Sequence, residues 1–418
     1  MNITYKPVVF SKRILSLDVL RGVAVLGILI MNIQSFAMIG AAYINPTAFG
    51  ELSGINKLVW IFSHMFANEK FMTIFSILFG AGMLLFISSA NEKGEKSGKL
   101  HYRRMFWLLL FGMLHAYLVW YGDILVAYSL CGMLLYLFRN KKPETLLIFS
   151  TLFFVIPVLL NLFTFYSIKH WPQDVYNENM ASWLPSTAQI SAETANMKAG
   201  WLDQMGERAK NSFFMQTFLF FWLMFWRATS MMLLGMALFK WGVLSASRSN
   251  NFYIKMTLIG LSLGYLITGA GVFENFKVGW EMDFSMFIGT IYSYVGSVSI
   301  ALGYIGLVML MVKSIKFKSL KIHLALVGKM AFTNYIFMSL FCMFIFFGNG
   351  LGLFGKIERM GQLLIVFGIW AILIVFSKIW LSKFRIGPLE KLWRRLTYGR
   401  ITKDPVEISE KHASPVQG

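Results

Sequence analysis

His115 and Asp123 are the two residues whose types and spacing point most directly to chemistry. They lie eight residues apart, on either side of a tight break, WYGDIL at 120–125, where one apolar run ends and the next begins. A carboxylate that accepts a hydrogen bond from one nitrogen of an imidazole fixes its tautomer and leaves the other nitrogen as a general base. The plainer alternative is that His115 is a polar contact between packed helices. His64 is a second histidine candidate, beside Glu69 and Lys70. Arg227 sits deep in an apolar run, in WRAT at 226–229, and needs an acidic partner, with Asp123 and Glu69 the two candidates.

Asp18 and Arg21 are three residues apart and share a helix face. They read either as a neutral pair that fixes the height of a helix or as an Arg21 facing a cavity that takes an anionic ligand. Lys329 and Asn334, in GKMAFTNY at 328–335, add a cation and an amide within another apolar run. An ionisable side chain in hydrocarbon is unfavourable by ~2.5–3.5 kcal/mol on insertion scales. Each of these residues therefore requires a partner, a water-filled cavity or a function. Ser293, Ser297 and Tyr304 are better explained as polar links between helices. Cys131 and Cys342, the chain's two cysteines, are both in apolar runs and read as packed thiols. Two isolated cysteines build neither a disulfide framework nor a four-ligand metal site.

These residues must be positioned by a chain of 418 residues that is 57% hydrophobic and only 14% charged. Soluble domains run nearer 45–50% and about 25%. Ten apolar segments can be marked, at about 15–38, 58–89, 104–121, 123–138, 145–166, 213–239, 252–272, 284–312, 322–347 and 360–381. The prediction is an all-α polytopic membrane bundle of about ten transmembrane helices. The second segment is long and interrupted by Asn68, Glu69 and Lys70, so its first half is expected at the interface or re-entrant, with the span at 71–89. The run at 14–39 is too long for a signal peptide and reads as a retained span.

The net charge of +19 would suggest nucleic acid in a soluble protein, but here it reads as orientation of helices, with no nucleic-acid partner. Basic residues concentrate on alternate connections, at Lys93, Lys96, Lys99, Arg103 and Arg104, at Arg139, Lys141 and Lys142, and at Lys313, Lys316, Lys318 and Lys321. That pattern puts both termini in the cytoplasm. The longest connection, 167–212, then falls outside, with a polar surface helix expected at 186–210. Pro388 restarts a helix after the last span, and Leu389, Leu392, Trp393 and Leu396 recur at helical spacing. This predicts a cytoplasmic interfacial helix at about 388–397 and a single integral membrane domain over 14–398. A polar, disordered tail is expected at 399–418. Gly22 and Gly27, Gly80 and Gly82, and Gly260 and Gly264 are expected to permit close helix packing.

Five stretches carry a resemblance: SLDVLRGVAVLGIL at 16–29, KFMTIFSILFGAG at 70–82, GDILVAY at 122–128 following His115, GKMAFTNY at 328–335 and GPLEKLWR at 387–394. Together they resemble the YeiB-like bacterial inner-membrane family, over nearly the whole chain. The first-span motif is similar to that of the larger transmembrane acyltransferase superfamily, which includes the lysosomal heparan glucosaminide acetyltransferase and bacterial glycan O-acetyltransferases. The resemblance implies an integral protein of the bacterial cytoplasmic membrane. It further implies transfer of an acyl group from cytoplasmic acyl-CoA, as co-substrate, to an envelope glycan or lipid, with no tightly bound cofactor. The glycan enzymes carry a histidine later in the first span, where this chain has Met31. His115 would then supply the base and Asp123 orient it. Arg21, Lys329 and Arg394 would hold the CoA phosphates, and Asp18, Lys70, Arg227 and Asn334 complete the substrate-binding set. The alternative from a different class is a multi-pass transporter or flippase for a small anionic or lipid-like substrate.

Overall fold

In hydrocarbon every backbone N–H and C=O must be paired within the chain, so a sequence this apolar folds as helices or as a closed barrel. The computed structural model describes residues 14–399, and these residues form helices with no strand. The predicted tail at 399–418 lies, apart from Gly399, outside the described residues.

Helix α1 (Leu15–Ala37) is the axis of the bundle, buried along almost its whole length. After the single turn α2 (Ala41–Ile44) come α3 (Gly54–Phe66) and α4 (Lys70–Glu92). As one helix, the 39 residues of Gly54–Glu92 would run roughly 58 Å, about twice the hydrocarbon thickness. The chain breaks instead at Glu69, which adopts a left-handed conformation (φ 64°) that a non-glycine residue rarely takes. The break falls at the polar interruption that the sequence marks, and Gly54–Glu92 as a whole is one candidate span.

Helices α5 (Ser97–Leu118) and α6 (Leu125–Leu135) form an antiparallel pair. The peripheral α7 (Pro143–Ser167) buries little more than Leu146, Ser150, Pro157 and Thr164. The long connection folds as α8 (Gln173–Trp183), α9 (Thr187–Met197) and the start of α10 (Met205–Gln216). The single surface helix expected at 186–210 is thus two helices. Ser186 and Gln189 start the first with a reciprocal capping box, and a turn at 198–204 separates them. A π-helical segment, Phe220–Met224, leads into α11 (Phe225–Lys240). Helix α12 (Asn250–Lys277) packs along α13 (Gly289–Lys313), and their glycines Gly260, Gly264 and Gly303 bring the backbones together.

The ninth predicted segment is not one helix. Helix α14 (Lys318–Lys329) and α15 (Ala331–Phe346) meet at 80° around Met330. Helix α16 (Arg359–Lys383) and the amphipathic α17 (Pro388–Tyr398) complete the chain. Among the described residues, seven helices are long and apolar enough to cross a membrane, and the bent α14–α15 pair makes eight. This is an integral membrane protein. The other two predicted spans, α5 and α6, do exist as helices. They fall short by length or hydropathy because α5 opens on polar and basic residues and α6 has 11 residues.

Candidate functional site

The inward stripe of α5 consists of Ser97, His101, Met105, Leu108, Gly112, His115 and Ala116, all buried at i, i+3/i+4 spacing. His115 lies in the last turn. The chain reverses, and Asp123 arrives just ahead of α6. Its Oδ1 accepts a hydrogen bond from the Val126 N–H (2.9 Å), one of the amides that a helix start leaves unpaired. Its Oδ2 accepts from His115 Nδ1 at 2.7 Å, with both side chains almost fully buried. Gly112 makes this approach possible, since a Cβ there would press on the Val126 N and Asp123 Oδ1. With the Nδ1 proton committed to Asp123, the lone pair of His115 resides on Nε2, which is buried and has no hydrogen-bond partner.

The end of α5 is held from outside the bundle core. Its terminal carbonyls have no partner within the helix. Ser212 donates to the Ala116 carbonyl, Arg208 to Tyr117 and Trp201 to Leu118, each at 2.8–2.9 Å. The outer layer at 167–212 thereby fixes the turn that carries His115. In the same layer Glu193 accepts from the Gly40 N–H (2.8 Å), and burial pushes its carboxyl above the ordinary range.

A cavity of about 260 Å³ lies beside this pair, between α1, α4, α5, α6, α14, α15 and α17. One end is basic. Arg21, Arg104 and Lys329 line it, together with His101, Glu390 and Trp393. Arg104 is sandwiched between Phe86 (4.5 Å) and Trp393 (4.3 Å). Arg21 also bonds Asp18 at 3.0 Å. Glu390 is turned to a structural task, since its carboxylate accepts from the Phe332 and Thr333 N–H groups and the Thr333 hydroxyl (2.6–3.1 Å), capping α15. Burial pushes its pKa above the usual carboxylate value, against the pull of those donors. The middle of the cavity is apolar, with Phe75, Phe79 and Leu108. The far end is Leu125, Tyr128 and Tyr335. The Tyr335 ring stands 5.2 Å from that of His115, and its hydroxyl accepts from the Ile124 N–H (3.3 Å). His115 is thus one side chain behind the cavity wall.

Of the residues singled out in the sequence, the structure unites His115 with Asp123, and places Arg21 and Lys329 on the cavity, with Asp18 behind Arg21. The others lie elsewhere. Arg227 is neutralised by Glu69 at 3.2 Å, not by Asp123, whose carboxylate His115 occupies. It also donates to Thr73, Ser297 and the Tyr294 carbonyl and lies over the Tyr294 ring. Lys70 is fully buried and donates to the His64 carbonyl (2.7 Å), tying α4 to α3 across the break. His64 has both nitrogens engaged, by Ser293 (2.7 Å) and Asn68 (3.4 Å), and stacks on Trp60, so it offers no free base. Asn334 donates to the Val327 carbonyl and Ser377, holding the α14–α15 bend. Arg394 is exposed on α17 and does not line the cavity.

Arg104 and His101 fill the places that sequence reasoning missed. The signal for His101 is the α5 stripe, on which His101, Leu108 and His115 repeat every seven residues. The string GLSLG at 260–264 spells a nucleophile-elbow pattern, but it lies within α12, where Ser262 is exposed and no strand-turn-helix exists. Among the described residues, no three His, Cys, Asp or Glu side chains gather to hold a metal.

Residues 238–400 match the family described as "Protein of unknown function (DUF418)". The chain is 32% identical over 410 residues to the uncharacterized protein YxaH of Bacillus subtilis (strain 168), covering 94% of this chain and 96% of that protein. It is 30% identical over 389 residues to the uncharacterized protein YeiB of Escherichia coli (strain K12), covering 92% and 96%. An uncharacterized 39.9 kDa protein from the amylase 3' region of Bacillus acidopullulyticus is 28% identical over 406 residues.

Proposed function

Because the chain belongs to the YeiB-like family of integral membrane proteins, we propose the activity that its buried chemistry supports best. It is an acyltransferase of the bacterial inner membrane that moves an acyl group from cytoplasmic acyl-CoA to a hydroxyl or amine of an envelope sugar or lipid. One observation carries this reading. A cavity with three cations at its mouth and an apolar body ends one side chain from a buried imidazole whose Nε2 is unpartnered. The cations suit phosphate oxygens, the apolar walls suit an acyl chain, and the imidazole suits proton transfer.

In the proposed reaction His115 Nε2 removes the proton from the acceptor's O–H or N–H as that atom attacks the thioester carbonyl. Asp123 Oδ2 keeps the Nδ1 proton in place and stabilises the imidazolium that forms. The tetrahedral intermediate collapses with cleavage of the C–S bond. The thiolate leaves and takes the proton from His115, restoring the starting state. Tyr335 must turn aside to admit the reacting groups, and the mouth at Arg21, Arg104 and Lys329 faces the cytoplasm, with both termini on that side.

The test uses protein purified into lipid nanodiscs, radiolabelled acetyl-CoA and bacterial envelope lipids and glycans. Thiol release and label transfer are measured together. Wild type is expected to show both, and His115→Ala to lose about 10²–10⁴-fold. Equal rates in the two proteins would remove the catalytic reading. Substrate movement across proteoliposomes without thiol release would support a transporter instead.

A further inference from the structure

We infer that His101 recognises the stem of the acyl donor, accepting a hydrogen bond at Nδ1 from an amide N–H or hydroxyl lying between the donor's phosphates and its thioester. The inference rests on the acyl-transfer reading and deepens it, since it fixes which kind of donor the cavity takes.

His101 is fully buried on the cavity wall. Its Nε2 lies 2.9 Å from the Gly132 carbonyl oxygen. A carbonyl only accepts, so Nε2 carries the proton and Nδ1 keeps its lone pair. The ring is held flat against Tyr136, with centroids 5.2 Å apart. Nδ1 itself is buried without a partner. A buried acceptor left unpaired is unfavourable, and a ligand that brings a donor relieves it. Phosphate bound at Arg21, Arg104 and Lys329 brings none at neutral pH. A stem bearing amides or hydroxyls does.

Distance along α5 selects the same donor. Arg104 and His115 are eleven residues apart on α5, a rise of roughly 16 Å, and His101 lies one turn before Arg104, at the same basic end. The reactive carbonyl must therefore sit far from the phosphates that the basic mouth holds. In a glycerophospholipid the ester carbonyls lie only a few bonds from the phosphate and cannot reach. A pantetheine-type stem, with a hydroxyl and two amide groups between phosphate and sulfur, spans the gap, and its phosphate-proximal end starts beside His101.

The experiment titrates full-length protein in detergent with CoA and with adenosine 3',5'-bisphosphate, which has phosphates but no stem, by isothermal calorimetry. Wild type is expected to bind CoA at least tenfold more tightly than the bisphosphate. His101→Leu should abolish that gap while leaving bisphosphate affinity unchanged. His101→Gln, whose amide can both donate to Gly132 and accept from the stem, should keep most of it. Arg104→Gln should weaken both ligands. A His101→Leu protein that keeps the gap, or that loses both ligands alike, overturns the assignment. If that variant does not fold, a wild type without the gap, or a His101→Gln protein without it, overturns the assignment equally. Wild type that binds neither ligand defeats the acyl-CoA reading itself, a different result from a wild type that binds both equally.

Discussion

Two of the polar clusters buried in this bundle, around Glu69 and around His115, differ in one respect. Around Glu69 every strong group has an answer. Arg227 is matched by a carboxylate, two hydroxyls and a carbonyl, Lys70 by a carbonyl, and His64 by contacts at both nitrogens. Around His115 the network stops one bond short, since Nε2 has no partner, and a cavity lies behind the adjacent tyrosine. Both places hold ionisable groups away from water, the His115–Asp123 pair the more completely. The closed cluster spends its polarity on bracing a strained helix break. On the proposed reading, the open one leaves a valence for a reactant.

The comparison can be broken by exchanging the two phenotypes. The largest effect on transfer is expected from His115→Ala, which should remove about 10²–10⁴-fold of the rate per folded molecule, while also destabilising the fold by leaving Asp123 buried without its partner. A rate per folded molecule within a few-fold of wild type would make His115 a bracing residue like its counterparts. Gly112→Ala sharpens the same point while leaving both residues of the pair in the sequence. It should force α6 and Asp123 off α5, and a displacement near 1 Å is enough for about a hundredfold loss in rate. An unchanged rate would show that the Asp123 contact does not matter. In the closed cluster Arg227→Leu should destabilise by about 3 kcal/mol, the low end for breaking a buried pair, because Glu69 keeps 28% side-chain exposure. Adding Glu69→Leu should recover part of this, and the rate per folded molecule should stay within a few-fold of wild type. A catalytic collapse in a folded Arg227→Leu protein would erase the distinction between the clusters.

The smallest effect concerns Glu390, a carboxyl that lines the cavity without belonging to its chemistry. Burial raises its folded pKa above the unfolded value. The folded state therefore holds its proton more tightly. The stability gained at acid pH is lost as pH rises through the carboxylate range. Gln does not titrate, so the melting temperature of wild type minus that of Glu390→Gln should decline over that interval. A rising difference would reverse the sign assigned here.

Much of this was legible in the sequence for a local reason. Ten apolar segments fall on helices because hydropathy is summed over consecutive residues. The His115–Asp123 pair was readable because only a turn separates its members. The interruption at Asn68–Lys70 was visible as three polar residues. The bend at Met330 was not, because its supports come from afar, from Ser377 and Glu390. The partner of Arg227 was undecidable between two carboxylates until the fold placed Glu69 beside it. Arg104 and His101 were hidden by the same basic run that orients the helices, since a charge near a span end looks alike whether it faces water or a cavity.

Composition and periodicity alone determined that this chain is a helical membrane protein, since apolar length and internal hydrogen bonding are properties of contiguous sequence. They also placed an imidazole and a carboxylate at one turn. Only the tertiary structure decided which charges neutralise one another and which line a cavity. Those outcomes depend on a few ångströms between helices remote in the chain, and α1, α5, α14 and α17 meet at the basic mouth only after the bundle has closed.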